Sequence, residues 1–182
     1  MASKKKQKQE LSMSVIWSIN MRYAGIIYND ISAAPGVCIS LYTQGCPFHC
    51  KGCHNPETWD FDGGYEFTPE VLKNLLDNID ANGVRRSLCI LGGEPLHPSN
   101  LNLTATVILS AKAKYPDLKI YIWTGYIYEE LLKRDDDNTK FILNNITALI
   151  DGPFIESKRD ITLKMRGSSN QRIIELDKKE NL

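Results

Sequence analysis

The stretch GVCISLYTQGCPFHCKGCHNPETW, residues 36–59, runs from an apolar segment directly into three closely spaced cysteines. Val37 to Thr43 is short and β-rich and ends at Gln-Gly, which predicts a strand that delivers the chain into a loop. In that loop Cys46, Cys50 and Cys53 follow a Cys-x3-Cys-x2-Cys spacing. Two chemistries suit such a set. A zinc site closes with four Cys or His ligands, and His49 or His54 could supply the fourth. An iron–sulfur cluster usually takes four thiolates. Three thiolates leave one iron without a protein ligand, and an open position is how a metal site admits a substrate.

Beyond the loop the chain alternates between helical and strand patterns. NPETWDFDGGYEF, residues 55–67, is rich in Pro, Gly, Asp and aromatics and reads as a loop. TPEVLKNLLDNIDANG follows, residues 68–83, with Thr68 as N-cap, Pro69 at the first helical position and Glu70 near the positive end of the helix dipole. Val71, Leu72, Leu75, Leu76 and Ile79 make one apolar face, and Asn82-Gly83 is the stop. SLCIL, residues 87–91, is an apolar strand running into GGEPLHP. A helix is predicted over 99–114, with Leu103, Val107, Ile108 and Ala111 inward. KIYIW, residues 119–123, is a strand ending at TGY; helical pieces follow around IYEELLKRD and NTKFILNN; TALID, residues 147–151, is a last strand ending at GPF.

Strands alternating with helices predict an α/β protein with a parallel sheet and helices packed outside. These units are too few for a full eight-unit barrel, so an open or partial barrel is expected. The unusual stretches GCPFHCKGC, GGEP, WTGY and DGPF each follow a predicted strand directly. Loops at the carboxyl ends of parallel strands open on one edge of the sheet, where ligands bind, so four such loops point to one site.

Composition sets the frame. The 182 residues fit one domain with a full core, and the hydrophobic fraction of 42% and charged fraction of 24% are those of an ordinary globular protein. Lys plus Arg equals Asp plus Glu, at 22 each, which argues against gripping nucleic acid or an anionic membrane. No apolar run approaches the ~20 residues that span a bilayer. MASKKKQKQE is basic but no apolar signal segment follows, so residues 1–20 are expected to be a disordered basic tail and the protein cytoplasmic. There thiols stay reduced and clustered cysteines bind metal or do chemistry. Cys38, Cys46, Cys50, Cys53 and Cys89 are five, an odd number unlike a disulfide framework. Cys38 and Cys89 lie on predicted strands and read as packing residues. Trp123 reads as core, His97 as a turn cap, and RDDD, residues 134–137, as a solvated loop. GGEP taken alone would be a strand-to-helix turn.

The cysteine triplet shortly after a strand, with GGEP after a later one, resembles the radical S-adenosylmethionine (SAM) enzymes. GCPFHCKGCHNPETW, LGGEPLHPSN, IYIWTGY, LIDGPF and RGSSNQR, in this order, are similar to the family of activating proteins of the anaerobic (class III) ribonucleoside-triphosphate reductase. The resemblance spans roughly residues 23 to 174. It implies a radical SAM domain over residues 21–176 with a short C-terminal tail at 177–182, built as a partial (β/α) barrel. It implies that Cys46, Cys50 and Cys53 hold a [4Fe-4S] cluster whose fourth iron takes the amino nitrogen and carboxylate of S-adenosyl-L-methionine. Reductive cleavage of that molecule, followed by hydrogen abstraction, leaves a glycyl radical on the large reductase subunit. Gly92 and Gly93 would present bare backbone to the methionine ammonium, with the charge of Glu94 near it; Thr124 and Gly125 would lie along the adenosine or ribose; Gly52 and His54 would line the pocket from the cluster side. Arg166, Ser168, Asn170 and Gln171, with Tyr126, would sit at the edge that meets the partner or the cofactor.

The implied partners are the large subunit of the reductase and a reduced flavodoxin or similar donor, with no nucleic acid and no membrane. The superfamily usually has an aromatic residue where Gly52 stands, and the subgroup has Tyr where His54 stands. About twenty extra residues precede the family's usual start. An activase of another glycyl-radical enzyme, or a non-catalytic zinc-binding module, are the other readings. Zinc accounts for the thiols but not for the bare glycines at the strand ends.

Overall fold

The computed structural model describes residues 21–177; the tail expected over residues 1–20 and positions 178–182 lie outside the described residues. Among the described residues seven strands form one sheet: β1 (Arg22–Asp30), β2 (Cys38–Thr43), β3 (Tyr65–Glu66), β4 (Ser87–Gly92), β5 (Ile120–Trp123), β6 (Ala148–Asp151) and β7 (Arg172–Glu175), in the order β3-β1-β2-β4-β5-β6-β7. The helices are α1 (Pro69–Asn78), α2 (Leu101–Lys114), α3 (Tyr128–Leu131) and α4 (Asp137–Asn145). The centre, β2-β4-β5-β6, is parallel as expected. The edges differ from the expectation of a parallel sheet: β1 runs antiparallel to β2, β3 to β1, and β7 to β6.

The two faces of the sheet have different chemistry, and strand periodicity sorts it. Ile39 and Leu41, Leu88 and Ile90, Ile120 and Ile122, and Leu149 share one buried cluster with Leu72 and Leu75 of α1, Ile79 just after it, Val107, Ile108 and Ala111 of α2, and Ile142 and Leu143 of α4. The alternate residues Cys38, Cys89, Tyr121, Ala148 and Ile150 belong to a second cluster, against which Leu91, Trp123 and Met165 pack. The first face is aliphatic and wears the helices. The second mixes small groups with aromatic and sulfur-bearing side chains and is more polar, with the fully buried Ser40 among them. The parallel strands are added in one direction along the sheet, in sequence order. Connections of one hand then carry successive crossover helices to the same face, which leaves the other free for a site.

The helix signals act as expected. Thr68 accepts a hydrogen bond from the Val71 amide, and Pro69 opens α1. The predicted stop at Asn82-Gly83 falls later than the actual end at Asn78, because a 3-10 turn over Ala81–Gly83 follows. Arg86, only 7% exposed, closes that end: its guanidinium donates to the carbonyls of Asn78, Ala81 and Val84 and to the Asn29 side chain. Cys38 and Cys89 are fully buried packing residues, and the Ser99 amide donates to His97 Nδ1 within a turn. RDDD is not simply a solvated loop. Asp136 caps α4 by accepting from the Thr139 amide, and Arg134 lies 4.1 Å over the Tyr126 ring. No helix among the described residues is long and apolar enough to cross a membrane.

Candidate functional site

The cysteine loop is closed at its neck by backbone. The Gly45 amide donates to the Thr58 carbonyl at 2.8 Å and the Cys46 amide to the Trp59 carbonyl at 3.1 Å. Gln44, 2% exposed, reaches across with its amide to the carbonyls of Glu57 and Asp60. Inside the neck, the Cys53 amide donates to the Cys50 carbonyl, and the Asn55 amide points at Cys53 Sγ, 3.4 Å away. Phe48 packs edge-on against Tyr126 at 5.0 Å between centroids, and Arg134 covers that ring, so the loop also leans on the end of β5.

The loops after β4 and β5 approach the cysteine loop so closely that side chains are excluded at two glycines. A Cβ on Gly93 would stand 2.5 Å from the Gly45 carbonyl oxygen, and one on Gly125 2.5 Å from the Phe48 ring. The Gly93 amide donates to the Thr43 carbonyl and the Glu94 amide to the Gly45 carbonyl. Asn100, buried at the start of α2, donates to the carbonyls of both Gly45 and Glu94.

Glu94 then binds the β4 and β5 ends to each other. Its Oε1 accepts from the Leu96 amide at 2.9 Å and from the Thr124 hydroxyl at 2.7 Å, and its Oε2 accepts from the Gly125 amide at 2.7 Å. Burial pushes its carboxyl up to about 7, against the pull of those donors and of Arg134. Burial likewise pushes the Cys46 thiol up to about 11, opposed by the Phe48 and His49 amides, and raises Cys50. Binding of a metal to these thiols must therefore displace protons.

These parts enclose one cavity of about 550 Å³. Cys46, Cys50, Gly52, Cys53, His54, Gly92, Gly93, Glu94, Thr124 and Gly125, the residues the sequence assigns to cluster and cofactor, line it together, whereas Tyr126 does not line it. His54 is exposed; His49 is also exposed and stacks on Trp59 at 4.7 Å. Trp123 is only half-buried: it lines the cavity, and its indole donates to the Met165 carbonyl. The RGSSNQR segment braces the loop after β6. Asn170 donates to the Pro153 carbonyl and Gln171 to the Gly152 carbonyl, while Gln171 Oε1 accepts from the Gly167 and Ser168 amides. Arg166 and Gln171 reach the cavity wall; Ser168 and Asn170 do not line it.

Sequence reasoning missed the far wall. Asp30 at the end of β1 lines the cavity and accepts from the Ser32 amide and hydroxyl and from the Ser40 hydroxyl. Burial works against its ionisation, but those donors outweigh it and hold the carboxyl below the usual range. Tyr42 of β2 lines the same wall. Its position follows from period two: it shares a face with Cys38 and Ser40, and that alternation was the one available signal.

The donor set suits a soft metal centre. Three thiols on one loop face the cavity, and backbone amides point at them, that of Asn55 at Cys53 and those of Phe48 and His49 at Cys46, the kind of contact that tunes iron–sulfur clusters. Among the described residues no three His, Cys, Asp or Glu side chains gather as ligands of a single ion. A cubane asks for no such convergence, since its iron corners take one thiolate each.

Residues 33–174 match a family described as a 4Fe-4S single cluster domain. The anaerobic ribonucleoside-triphosphate reductase-activating protein of Vibrio cholerae is 37% identical over 143 residues, 78% of this chain and 90% of the relative. The protein of that name from Pasteurella multocida is 36% identical over 152 residues, 83% of this chain and 95% of the relative. The one from Enterobacteria phage T4 is 32% identical over 154 residues, 84% of this chain and 93% of the relative.

Proposed function

This chain belongs to the family of anaerobic ribonucleoside-triphosphate reductase-activating proteins, and from that premise we propose that it is a radical SAM activase that generates a glycyl radical on the large subunit of the anaerobic reductase. The observation that carries this reading is the meeting of four strand-end loops in one cavity, with three thiols on its wall and bare glycine backbone beside them. Cys46, Cys50 and Cys53 would hold a [4Fe-4S] cluster, and the donor set fits it. When reduced, such a cluster supplies the single electron that splits S-adenosylmethionine, and the hydrogen abstraction that follows leaves the radical on a glycine of the reductase.

The chain's own residues bind and aim. The cavity volume lies within the ~300–1,000 Å³ usual for small-molecule sites. Gly92 and Gly93 bring main-chain polar groups to the wall at the level of the cysteine loop, where the ammonium of a methionine moiety finds acceptors. Glu94 lines the cavity, and its bonds to Thr124 and Gly125 set the distance between the methionine end and the nucleoside end. Thr124 and Gly125 form the nucleoside wall, and Gly52 and His54 the wall on the cluster side. Fixed geometry of this kind turns an encounter into an oriented contact. We read the sheet, with helices on one face and the cavity on the other, as a partial (β/α) barrel over a single domain at residues 21–176. Reduced flavodoxin or a similar carrier is the electron donor in this reading, and the cytoplasm its compartment.

The test is anoxic reconstitution with iron and sulfide. The protein should turn brown and, once reduced, release 5′-deoxyadenosine from S-adenosylmethionine. A colourless protein that retains zinc and cleaves nothing would overturn the proposal.

A further inference from the structure

The cavity opens onto a second depression. A shallow groove lined by Ser157, Lys158, Arg159, Asp160, Ile161 and Ser169 shares Arg159, Asp160 and Ile161 with the cavity wall. Asp30 at the end of β1 and Ser32 and Ala33 of the loop after it belong to that same wall, and Ile31 lies between Asp30 and Ser32 in sequence. Ile161 is 86% exposed and Ile31 80%, the two most exposed large hydrophobic residues among those described. Neither stands on a loose turn. Asp30 fixes one turn by accepting from the Ser32 amide and hydroxyl, and Asp160 fixes the other by accepting from the Thr162 amide and hydroxyl. A backbone bridge from Arg159 to Ser168 and a bond from the Asp160 amide to the Gly167 carbonyl hold the second loop to RGSSNQR. The cost of ordering these loops is therefore met in the free protein, as an interaction surface requires.

The charges at this rim are unbalanced. Lys51 is paired with Glu156. The side chains of Lys158 and Arg159 meet no carboxylate and no other hydrogen-bond partner among the described residues.

We propose that the groove and the two exposed isoleucines are the docking surface for the glycine-bearing segment of the reductase, which lies extended along the groove and continues into the cavity. In this arrangement an apolar side chain of the segment covers Ile161, another covers Ile31, and a carboxylate of the segment meets Lys158 and Arg159. The assignment rests on the function proposed above. Continuity favours this occupant: a chain lying in the groove already touches the cavity wall, and a glycine α-carbon reaches a site inside the cavity only on a segment that enters it.

The experiment uses the full-length, anoxically reconstituted protein and the purified large subunit of the reductase, and measures Kd, iron content and partner-free cleavage of S-adenosylmethionine. Ile31→Asp and Ile161→Asp should each weaken binding by about tenfold or more, as expected when a buried isoleucine is lost from an interface. Lys158→Glu should weaken it by about two- to fivefold and reduce its salt dependence. Iron content should not change, and Ile31→Asp and Lys158→Glu should leave partner-free cleavage intact. Leu109→Asp, at a 55% exposed position of α2, should bind like the wild type. Wild-type affinity in both isoleucine variants, with iron intact, would overturn the docking surface alone. A wild-type protein that holds no cluster or cleaves no S-adenosylmethionine, seen before any partner is added, would overturn the proposed function and this surface with it.

Discussion

Glu94 is 1% exposed and its two carboxylate oxygens take three donors, from Leu96, Thr124 and Gly125. Replacing it by Gln leaves one oxygen to accept and turns an amide N–H toward a donor. Glu94→Gln should therefore cost about 1–3 kcal/mol in urea unfolding. The same residue makes stability depend on pH. Its folded pKa of about 7 stands above the ordinary 4.5, so the folded state binds more protons than the unfolded one between these values. Stability then falls as pH rises through that window, by about 3 kcal/mol in total. Unfolding curves at pH 5 and pH 8 should show the loss in the wild type and not in Glu94→Gln; a flat wild-type profile would contradict the assignment.

The thiols give a sharper result. Ala at Cys46, Cys50 or Cys53 should abolish iron binding, while Cys38→Ala should keep it, because Cys38 is buried in the second cluster of the sheet. Equal iron loss at Cys38 would mean the ligand set is wrong. At this scale the spacing of the cysteines and the bareness of Gly92 and Gly93 were legible, since both are local patterns. The brace made by Glu94 was not, because its partners Thr124 and Gly125 come from another strand.

Among the elements, the helices were the more legible. Thr68, Pro69 and Glu70 announce α1 within three consecutive positions, and the buried residues of α2 recur at helical spacing. What ends α1 is not local. Arg86 lies beyond the helix and its 3-10 turn, yet its guanidinium takes the carbonyls of Asn78, Ala81 and Val84. Arg86→Ala should lower stability by about 2–3 kcal/mol, because those acceptors lose a charged donor; a change under about 0.5 kcal/mol in a denaturant titration would contradict this. The strand β1 escaped notice for a physical reason. Gly25 lies within it, and two register shifts against β2 break the alternation that marks a strand. The strand β3 is two residues long, and β7 is a mostly exposed edge strand, so neither carries an apolar signature.

For the whole molecule, the parallel centre of the sheet followed from the alternation of strands and helices, and the convergence of the four loops followed from that topology. The antiparallel edges, and with them the wall formed by Asp30 and Tyr42, depend on long-range pairing that no local pattern carries. Ile161 lines the cavity and is 86% exposed, so in the proposed function an iron without a protein ligand inside it would be reachable by oxidants. Brief exposure to air should bleach the reconstituted protein and remove its activity; full activity after aerobic handling would count against the cluster. The most direct measurement is electron paramagnetic resonance on the reductase large subunit after anoxic mixing with reduced protein and S-adenosylmethionine. The doublet of a glycyl radical should appear, and be absent when S-adenosylmethionine is left out. A silent spectrum from protein whose [4Fe-4S] cluster has been verified would contradict the proposed function.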